Sequence, residues 1–402
     1  MTSVLVINAG SSSIKYQLFD VTAQARVTSG MIERIGQAQS TVTHRGHGHS
    51  LNWSAEIPDH AAGFACMAEA FARAGSPLEG LGVAAVGHRV VQGGSLFVEP
   101  TLVDDRVAEE ILGLAELAPL HAPGNHQAIV AARAAFPDIP HVAVFDTAFH
   151  QSMPPAAYTY AIDREVAQRH GVRRYGFHGI SHDVVSRRAA EFLGRPVDQL
   201  RQVILHLGNG ASACAVDHGR SIATSMGMTP LEGLVMGTRS GDIDPGALLH
   251  LMRAGLDADA LDALLNKGSG LLGLAGSNDM RDVRTAATQG DAVARSALDV
   301  YVHRVRHYLG AYLLELGGAD TVVFTAGVGE NSAELRAEVC AGLEWFGIEI
   351  DPVRNAMPTS DLVLADARVI STERSRVAVL VVPTDEEAEI ARQTWARVTA
   401  GG

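Results

Sequence analysis

The sequence predicts an α/β protein built from two structurally similar halves. Short apolar runs rich in β-branched residues alternate with segments of helical spacing along the 402 residues. A strand, a turn of small residues and a second strand occur at 4–19 and again at 203–216. Each half therefore presents a backbone-rich loop after its first strand, and this repetition indicates a duplicated unit.

The elements of the first half follow from local patterns. Continuous apolar runs indicate strands buried on both faces, clusters of Gly, Asn and Ser indicate turns, and apolar residues at helical spacing indicate helices. The predicted elements are a strand at 4–7, a turn at 8–13, a strand at 14–19, helices at 104–117 and 123–136, and a strand at 141–145. We expect His44, His47 and His49 to lie in a surface loop.

The second half repeats this order. The predicted elements are a strand at 203–207, a turn at 208–212, a strand at 213–216, a helix at 291–316, a strand at 322–324, a turn at 327–331 and a strand at 377–382. Asp291 is the expected N-cap of the long helix. The last helix follows Pro383, where Thr384 and Glu387 have the spacing of a capping box.

Composition excludes several classes of function. There are 32 Lys and Arg against 45 Asp and Glu, a formal net charge of −13, which argues against a nucleic-acid binder or a protein of anionic membranes. The three cysteines are far apart and predict no disulfide framework. No apolar run approaches the ~18 residues that span a membrane, and the N-terminus lacks a basic signal segment. We therefore expect a soluble cytoplasmic protein.

The turn at 8–13 is a candidate phosphate site. Its exposed N–H groups and hydroxyls suit phosphate oxygens, and Lys15 follows directly. The chain has only two lysines against thirty arginines, so a lysine here indicates that a compact charge is required. The segment is not a Walker A loop, because GxxxxGK[ST] is absent and a strand follows.

Three Gly-rich turns favour a nucleotide ligand. They lie at 8–13, 208–212 and 327–331, each after a buried strand. The third resembles a dinucleotide fingerprint but lacks the last glycine of GxGxxG, which disfavours a nicotinamide dehydrogenase. Together the turns indicate one nucleotide held between two halves.

Five charged or titratable residues are candidates for chemistry. Arg89 and Arg239 lie among glycines, which allow close approach of a ligand to a guanidinium that binds carboxylates and phosphates. His178 is also framed by glycines. Asp146 ends a strand and Glu386 begins the last helix, and strand ends are where α/β sheets place ligands.

These motifs resemble those of the acetate and propionate kinase family. Residues 4–15 look like its first signature and residues 236–246 like its second. Shorter blocks resemble family segments in the family's order, at 87–91, 145–150, 175–179, 206–210 and 327–331. The similarity spans nearly the whole chain. Asp385 is a departure, since the family usually has Asn before the glutamate pair.

The resemblance implies the fold of the superfamily that includes sugar kinases, Hsp70 and actin. That fold is a pair of duplicated actin-like ATPase domains, of the ribonuclease H-like type, with a nucleotide cleft between them. The implied domains are an N-terminal acetate- and phosphate-binding domain at 1–150, completed by the C-terminal helix at 384–402, and a nucleotide-binding domain at 151–383. A homodimer is also implied.

The implied reaction is the reversible transfer of the ATP γ-phosphoryl group to acetate, giving acetyl phosphate and ADP, with Mg²⁺ as cofactor and Mn²⁺ able to substitute. By the same resemblance the catalytic residues are Arg89, Asp146, His178 and Arg239. The implied substrate-binding residues are Arg89, Val91, Leu120, Phe177 and Pro230. The implied nucleotide-binding residues are Lys15, Ser11, Ser13, His206, Leu207, Gly208, Asn209, Gly210, Asp279, Met280, Arg281, Gly327, Val328, Gly329, Glu330 and Asn331. The implied metal-site residues are Asn8 and Glu386.

Two questions stay open at this level. Asp146 is the acid/base residue of the family, yet a carboxylate acceptor has no proton to lose, so we expect Asp146 to orient metal-bound water or Arg89. Val91 follows Arg89 by two residues and shares its face if the segment is extended.

The alternatives are a propionate or other short-chain acyl kinase and a non-catalytic, ATP-dependent clamp, which would not need Arg89, Arg239 and His178.

Overall fold

The computed structural model describes residues 2–46, 48–119, 121–357 and 367–400. The chain divides into two compact units, one of residues 1–148 with 385–402 and one of residues 149–384. Within the described residues no helix has the length and apolarity required to cross a membrane.

The first unit contains the N-terminal 148 residues of the chain and the C-terminal helix. Its strands are β1 Ser3–Gly10, β2 Ser13–Asp20, β3 Ala25–Glu33, β4 Ser40–Gly46, β5 His49–Ala55, β6 Val83–Val90, β7 Thr101–Leu102 and β8 His141–Phe145. Its helices are α1 His60–Arg73, α2 Asp105–Gly113, α3 Ala122–Ala135 and α15 Glu386–Thr399, with 3₁₀ turns at Leu78–Gly80 and Leu114–Glu116.

The described strands of the first unit form one eight-stranded sheet in the order β5-β4-β3-β2-β1-β6-β8-β7. β1, β6 and β8 run parallel, and β1 to β5 form antiparallel neighbours. The turn predicted at 8–13 is wrong in extent, because Asn8 pairs with Lys15 and Gly10 with Ser13. Only Ser11 and Ser12 remain in the turn, so the ladder hydrogen bonds extend almost to the end of the hairpin.

The C-terminal helix α15 packs on β1, β6 and β8. Gly87 of β6 makes this possible, because a Cβ at that position would lie 2.4 Å from Oγ1 of Thr394 and 3.0 Å from Cγ2 of Ile390. The main core lies on the strands β1 and β2 and the helices α1 and α3, with Leu5, Ile14 and Phe71 fully buried.

The second unit contains the remaining strands and helices. Its strands are β9 Arg201–Leu207, β10 Ala211–Asp217, β11 Arg220–Thr224, β12 Thr321–Thr325, β13 Arg368–Val369 and β14 Ala378–Val381. Its helices are α4 Pro155–Tyr158, α5 Arg164–Arg169, α6 Gly179–Phe192, α7 Pro245–Arg253, α8 Ala258–Lys267, α9 Gly270–Ala275, α10 Met280–Thr288, α11 Ala292–Glu315, α12 Ala326–Asn331, α13 Ala333–Cys340 and α14 Pro352–Ala356. Its 3₁₀ turns include Ala148–Ser152, Val197–Gln199 and Glu344–Phe346.

The two sheets share one topology. The second sheet has the order β11-β10-β9-β12-β14-β13 in the described residues. Its run β11-β10-β9-β12-β14 matches β3-β2-β1-β6-β8 strand for strand: two antiparallel pairings are followed by two parallel pairings in each. The predicted duplication of an α/β unit is therefore confirmed.

The predicted elements agree with the structure in most places. Asp291 caps α11 as predicted, since its carboxylate accepts from the N–H groups of Val293 and Ala294. The turn predicted at 327–331 is wrong, because these residues form the short helix α12 directly after β12. Ala326, the first residue of that helix, has φ +64°, a left-handed conformation that is uncommon for residues other than glycine.

The predicted capping box at the last helix is also wrong. The N-cap of α15 is Asp385, whose carboxylate accepts a hydrogen bond of 2.9 Å from the N–H of Ala388. Thr384 instead places Oγ1 2.8 Å from Oγ of Ser181. Aspartate and asparagine both cap helices well, so Asp385 provides the cap that an asparagine would also provide.

The histidine segment is not a surface loop. His44 lies on β4 with 1% of its surface exposed, and its Nδ1 is 2.8 Å from the hydroxyl of Tyr16. His49 begins β5 and is exposed, and His47 lies outside the described residues. Alternation on a strand places His44 on the core side, which its polar neighbours in sequence concealed.

Candidate active site

Three charged residues meet at the carboxyl edge of the first sheet. Arg89, near the end of β6, makes a bidentate ion pair with Asp146, which follows β8: Nε donates to Oδ1 at 3.0 Å and Nη2 to Oδ2 at 2.7 Å. Glu386, at the start of α15, has Oε2 3.5 Å from the same Nη2. Asp146 is 2% exposed, so this pair is held largely away from water.

Burial and charge oppose each other in this cluster. Burial raises the pKa of the Asp146 carboxyl above its ordinary value, and the charge and hydrogen bonds of Arg89 act to lower it. Burial acts to lower the pKa of Arg89, yet Asp146 and Glu386 raise it overall. The guanidinium therefore stays charged, and its fork geometry holds the carboxylate in a single orientation.

The first hairpin lies beside this cluster. Lys15 forms an ion pair with Glu387 of α15. Asn8 lies on β1 opposite Lys15, and Ser13 pairs with Gly10. Ser11 is exposed at the tip of the turn, and α3 approaches so closely that a Cβ at Gly124 would lie 3.0 Å from the Ser11 nitrogen.

His178 occupies an unusual position in the second unit. It is the residue before α6 and has φ +56°, a left-handed conformation that costs free energy for a non-glycine residue and is often found at functional sites. Its Nδ1 lies 2.9 Å from Oγ of Ser212. Its ring stacks on His206 with a centroid separation of 4.1 Å.

Arg239 and His178 approach the same small residue. A Cβ at Gly210 would lie 2.7 Å from Nη2 of Arg239 and 3.5 Å from Nε2 of His178. Nη1 of Arg239 donates to the carbonyl oxygen of Pro230 at 2.6 Å. Burial lowers the pKa of Arg239. Glycine at 210 thus leaves space beside a guanidinium and an imidazole.

A cleft of about 630 Å³ lies in the second unit, beside β9 and α12. Many predicted nucleotide residues line this cleft: Gly208, Asn209, Asp279, Met280, Arg281, Gly327, Val328 and Asn331. Arg281 donates to Asp279 at 2.5 Å and lowers the pKa of that carboxyl to about 2. The helix α10 thus begins with an ion pair at the mouth of the cleft.

Other residues predicted to bind the nucleotide make contacts inside the protein instead. Gly329 lies close to β9, since its Cβ would be 3.6 Å from the Leu205 oxygen, and the carboxylate of Glu330 accepts from the N–H of Thr384 at 3.1 Å. Leu207 is fully buried, and His206 has Nδ1 2.8 Å from Oγ of Ser181.

The structure describes some of the residues that the resemblance implies for substrate binding. Phe177 is buried, and its carbonyl oxygen lies 2.9 Å from Nε2 of His150. The extended segment expected through Val91 is wrong, because β6 ends at Val90 and Val91 begins a bend, with its N–H donating to Oδ1 of Asn125. Leu120 lies outside the described residues.

Comparison with known proteins decides the family. The model of the acetokinase family matches residues 3–392. The chain belongs to the acetokinase family. It is 60% identical over 402 residues to an acetate kinase of Leifsonia xyli subsp. xyli, with all of both chains covered.

Solved structures of family members agree in fold. A crystal structure of acetate kinase from Porphyromonas gingivalis has a TM-score of 0.93 at 40% identity, covering 99% of this chain and 100% of that one. A propionate kinase from Francisella tularensis subsp. tularensis has a TM-score of 0.91 at 37% identity, covering 98% and 100%. The actin-like ATPase fold that the resemblance implied is therefore confirmed.

Sequence reasoning missed three residues that hold these groups. Asn125 of α3 is buried, and its amide donates to the carbonyl oxygen of Ala9 at 2.9 Å, so it joins the ends of β1 and β6. Arg336 of α13 is 1% exposed and donates to the last carbonyl groups of α12. Ser212 contacts His178. Only Asn125 carried a signal, as a polar residue on an apolar helix face.

Arg89→Ala should destabilise the protein as well as inactivate it. It leaves the buried Asp146 charge unpaired, which costs about 3–5 kcal/mol in the free energy of unfolding. Without Arg89 the folded-state pKa of Asp146 lies above its unfolded value, so the cost is full at neutral pH and falls as acid protonates the carboxyl. Urea unfolding of the wild type and the variant from pH 7 to pH 5 measures the difference between their free energies of unfolding. This difference should become smaller toward pH 5.

The double variant Arg89→Ala with Asp146→Asn provides the control. It should recover most of the lost stability and none of the activity, since the unpaired charge is gone but the guanidinium is still absent. A stability loss in Arg89→Ala that is independent of pH and persists in the double variant would contradict the ion-pair explanation.

Proposed function

We propose that this protein transfers the γ-phosphoryl group of ATP to acetate by direct in-line transfer, forming acetyl phosphate and ADP reversibly. Membership of the acetokinase family and 60% identity to an acetate kinase support this reaction most strongly. The donors that converge on Gly210 support it independently. Phosphoryl transfer depends mainly on positioning and on stabilising charge, and a guanidinium beside an imidazole supplies both.

The chemistry assigns a role to each group. Arg89 binds the acetate carboxylate, and Arg239 with His178 stabilises the charge that develops on the transferring phosphoryl group. The cleft of about 630 Å³ binds the nucleotide, and Lys15 with Ser11 and Ser13 contacts its phosphates.

Asp146 acts on Arg89 in this proposal. The acceptor is already a carboxylate at neutral pH, so catalysis needs no general base. The bidentate pair supports an orienting role, because it fixes the plane of the Arg89 guanidinium. Val91, Leu120, Phe177 and Pro230 are proposed to contact the methyl group of acetate.

Charge supports a divalent cation as cofactor. With Arg89 at +1 and Asp146 and Glu386 at −1 each, the cluster carries −1 before acetate and ATP add further negative charge. Mg²⁺ prefers oxygen ligands and uses only one or two carboxylates together with phosphates and water, which fits Glu386 with Asn8. Mg²⁺ would supply positive charge to the phosphate oxygens, and Mn²⁺ has similar ligand preferences.

The reaction is tested by incubating the protein with ATP, Mg²⁺ and a series of carboxylates, and trapping acyl phosphate as hydroxamate. We expect kcat/KM to be highest for acetate and to fall about 10–200-fold for propionate, the value of one methylene in a hydrophobic pocket. Propionate as the best substrate would favour the alternative that the Francisella relative suggests.

Arg239 provides the matched control for this assay. Arg239→Ala should lose about 10²–10³-fold in kcat, as expected for a preorganised donor, and Arg239→Lys should recover little because the planar fork is lost. Normal turnover in a folded Arg239→Ala protein would remove Arg239 from the mechanism.

Glu386→Gln should raise the Mg²⁺ concentration required for half-maximal rate by about tenfold or more, because a neutral amide is a weaker ligand for a hard cation. Stability should change little, because Asp385 caps α15. Asp385→Asn is the matched control, as it removes an equal charge from the same turn and keeps a capping residue. An identical shift in both variants would mean that general electrostatics, not ligation, is measured.

We also propose a homodimer located in the cytoplasm. The apolar face of α7 supports association, since Leu249 and Met252 are 52% and 47% exposed and none of that helix's residues is buried within the part of the chain described. Apolar surface of this kind often marks an interface. Light scattering should give twice the mass of 42.4 kDa, and Leu249→Glu should shift the protein toward the monomer.

A further inference from the structure

One serine hydroxyl joins two imidazole rings beside the donors described above. Oγ of Ser212 lies 2.9 Å from Nδ1 of His178 and 2.8 Å from Nε2 of His182. Ser212 and His182 are fully buried, so no solvent competes for these contacts. His182 lies in the first turn of α6, four residues after His178, and its backbone N–H donates to the carbonyl oxygen of His178 at 2.9 Å.

The number of hydrogens limits how these contacts can form. A serine hydroxyl donates one hydrogen and accepts through its lone pairs, and a neutral imidazole carries one N–H. If Ser212 donates its hydrogen to one ring, it has no second hydrogen to donate. It must then accept a hydrogen from the other ring. Two arrangements satisfy this condition: Ser212 donates to His178 and accepts from His182, or the reverse. They give His178 opposite tautomers.

The surroundings of His182 select between them. Its Nδ1 is buried and makes no hydrogen bond with any described residue. Burial, with His150 and His206 nearby, lowers the pKa of His182 well below its ordinary value, so the ring is neutral. A proton on Nδ1 would be a buried N–H without an acceptor, which is rare and costly. The proton therefore lies on Nε2 and is donated to Ser212.

The tautomer of His178 then follows. Ser212 uses its hydrogen to donate to Nδ1 of His178, so the neutral ring carries its proton on Nε2. This is the nitrogen that lies 3.5 Å from the Cβ position at Gly210, where Nη2 of Arg239 also approaches. An N–H and a guanidinium thus face the same space.

We propose that Ser212 and His182 are positioning residues that keep the proton of His178 on Nε2, where it is donated to the transferring phosphoryl group. The target of this hydrogen bond rests on the proposed function, whereas the tautomer follows from the geometry of the second unit alone. The opposite tautomer would direct a nitrogen lone pair at an anion and repel it. A donor fixed before the reaction needs no reorganisation during it.

Nitrogen NMR of the wild-type protein tests the tautomer directly. The protein is labelled with ¹⁵N-histidine, and the signals that vanish in His178→Asn identify His178. In its neutral form, His178 should show an unprotonated Nδ1 and a protonated Nε2. A protonated Nδ1 on His178 would overturn the proposal, and this reading does not depend on activity.

A pair of variants with similar side-chain volume tests the consequence for catalysis. His182→Gln retains an N–H donor near the position of Nε2, and His182→Met does not. We expect kcat to fall about 10–100-fold in His182→Met and in Ser212→Ala, with KM for ATP nearly unchanged, because loss of a whole donor costs about 10²–10³-fold and His178 is still present. His182→Gln should keep most of the activity.

Equal kcat in the two His182 variants, with the same His178 spectrum, would overturn the proposal. If His182→Met fails to fold, the wild-type spectrum still decides the tautomer. A wild-type protein that forms no acetyl phosphate would instead contradict the proposed function. The His178 spectrum would still report the tautomer, so a failure of the proposed function can be distinguished from a failure of the tautomer proposal.

Discussion

The direction of the central strands is the constraint on which the rest of the structure depends. Parallel strands bring their carboxyl ends to one edge of a sheet, and in each unit three such strands lie side by side. The charged cluster of Arg89 and Asp146 lies at this edge in the first unit, and the loop at 208–210 with α12 lies there in the second. Duplication thus provides, from a single topology, two edges of the kind at which α/β sheets place ligands.

The two arginines are held by different means, and the difference affects their electrostatics. The carboxylate of Asp146 holds Arg89 in place and cancels its charge. Arg89 therefore provides a fixed orientation of its guanidinium more than a net positive potential. Arg239 is fixed by the neutral carbonyl group of Pro230 and keeps its full charge. The uncancelled charge lies beside His178, which is where the proposed reaction would build negative charge on a phosphoryl group.

Periodicity and turn residues were sufficient to predict the strands β1, β2, β8, β9, β10, β12 and β14 and the helices α2, α3, α11 and α15. The repeated motif predicted the duplication. The errors share a physical cause, which is that local patterns do not reveal which partner a polar group finds. Thr384 and Glu387 had the spacing of a capping box, but Ser181 and Lys15 bind them instead. Ser212 looked like part of a small-residue turn, because its contact with His178 joins residues 34 positions apart.

The packing of α15 has a consequence for how the chain is made. Thr394 and Ile390 of this helix pack against Gly87 of strand β6, slightly more than three hundred residues earlier in the sequence. The sheet of the first unit therefore stays uncovered on one face while the ribosome synthesises the whole second unit. Closing so long a loop is slow and leaves apolar surface exposed meanwhile. A nascent chain consequently acquires Glu386, and with it a complete charged cluster, only in the last moments of synthesis.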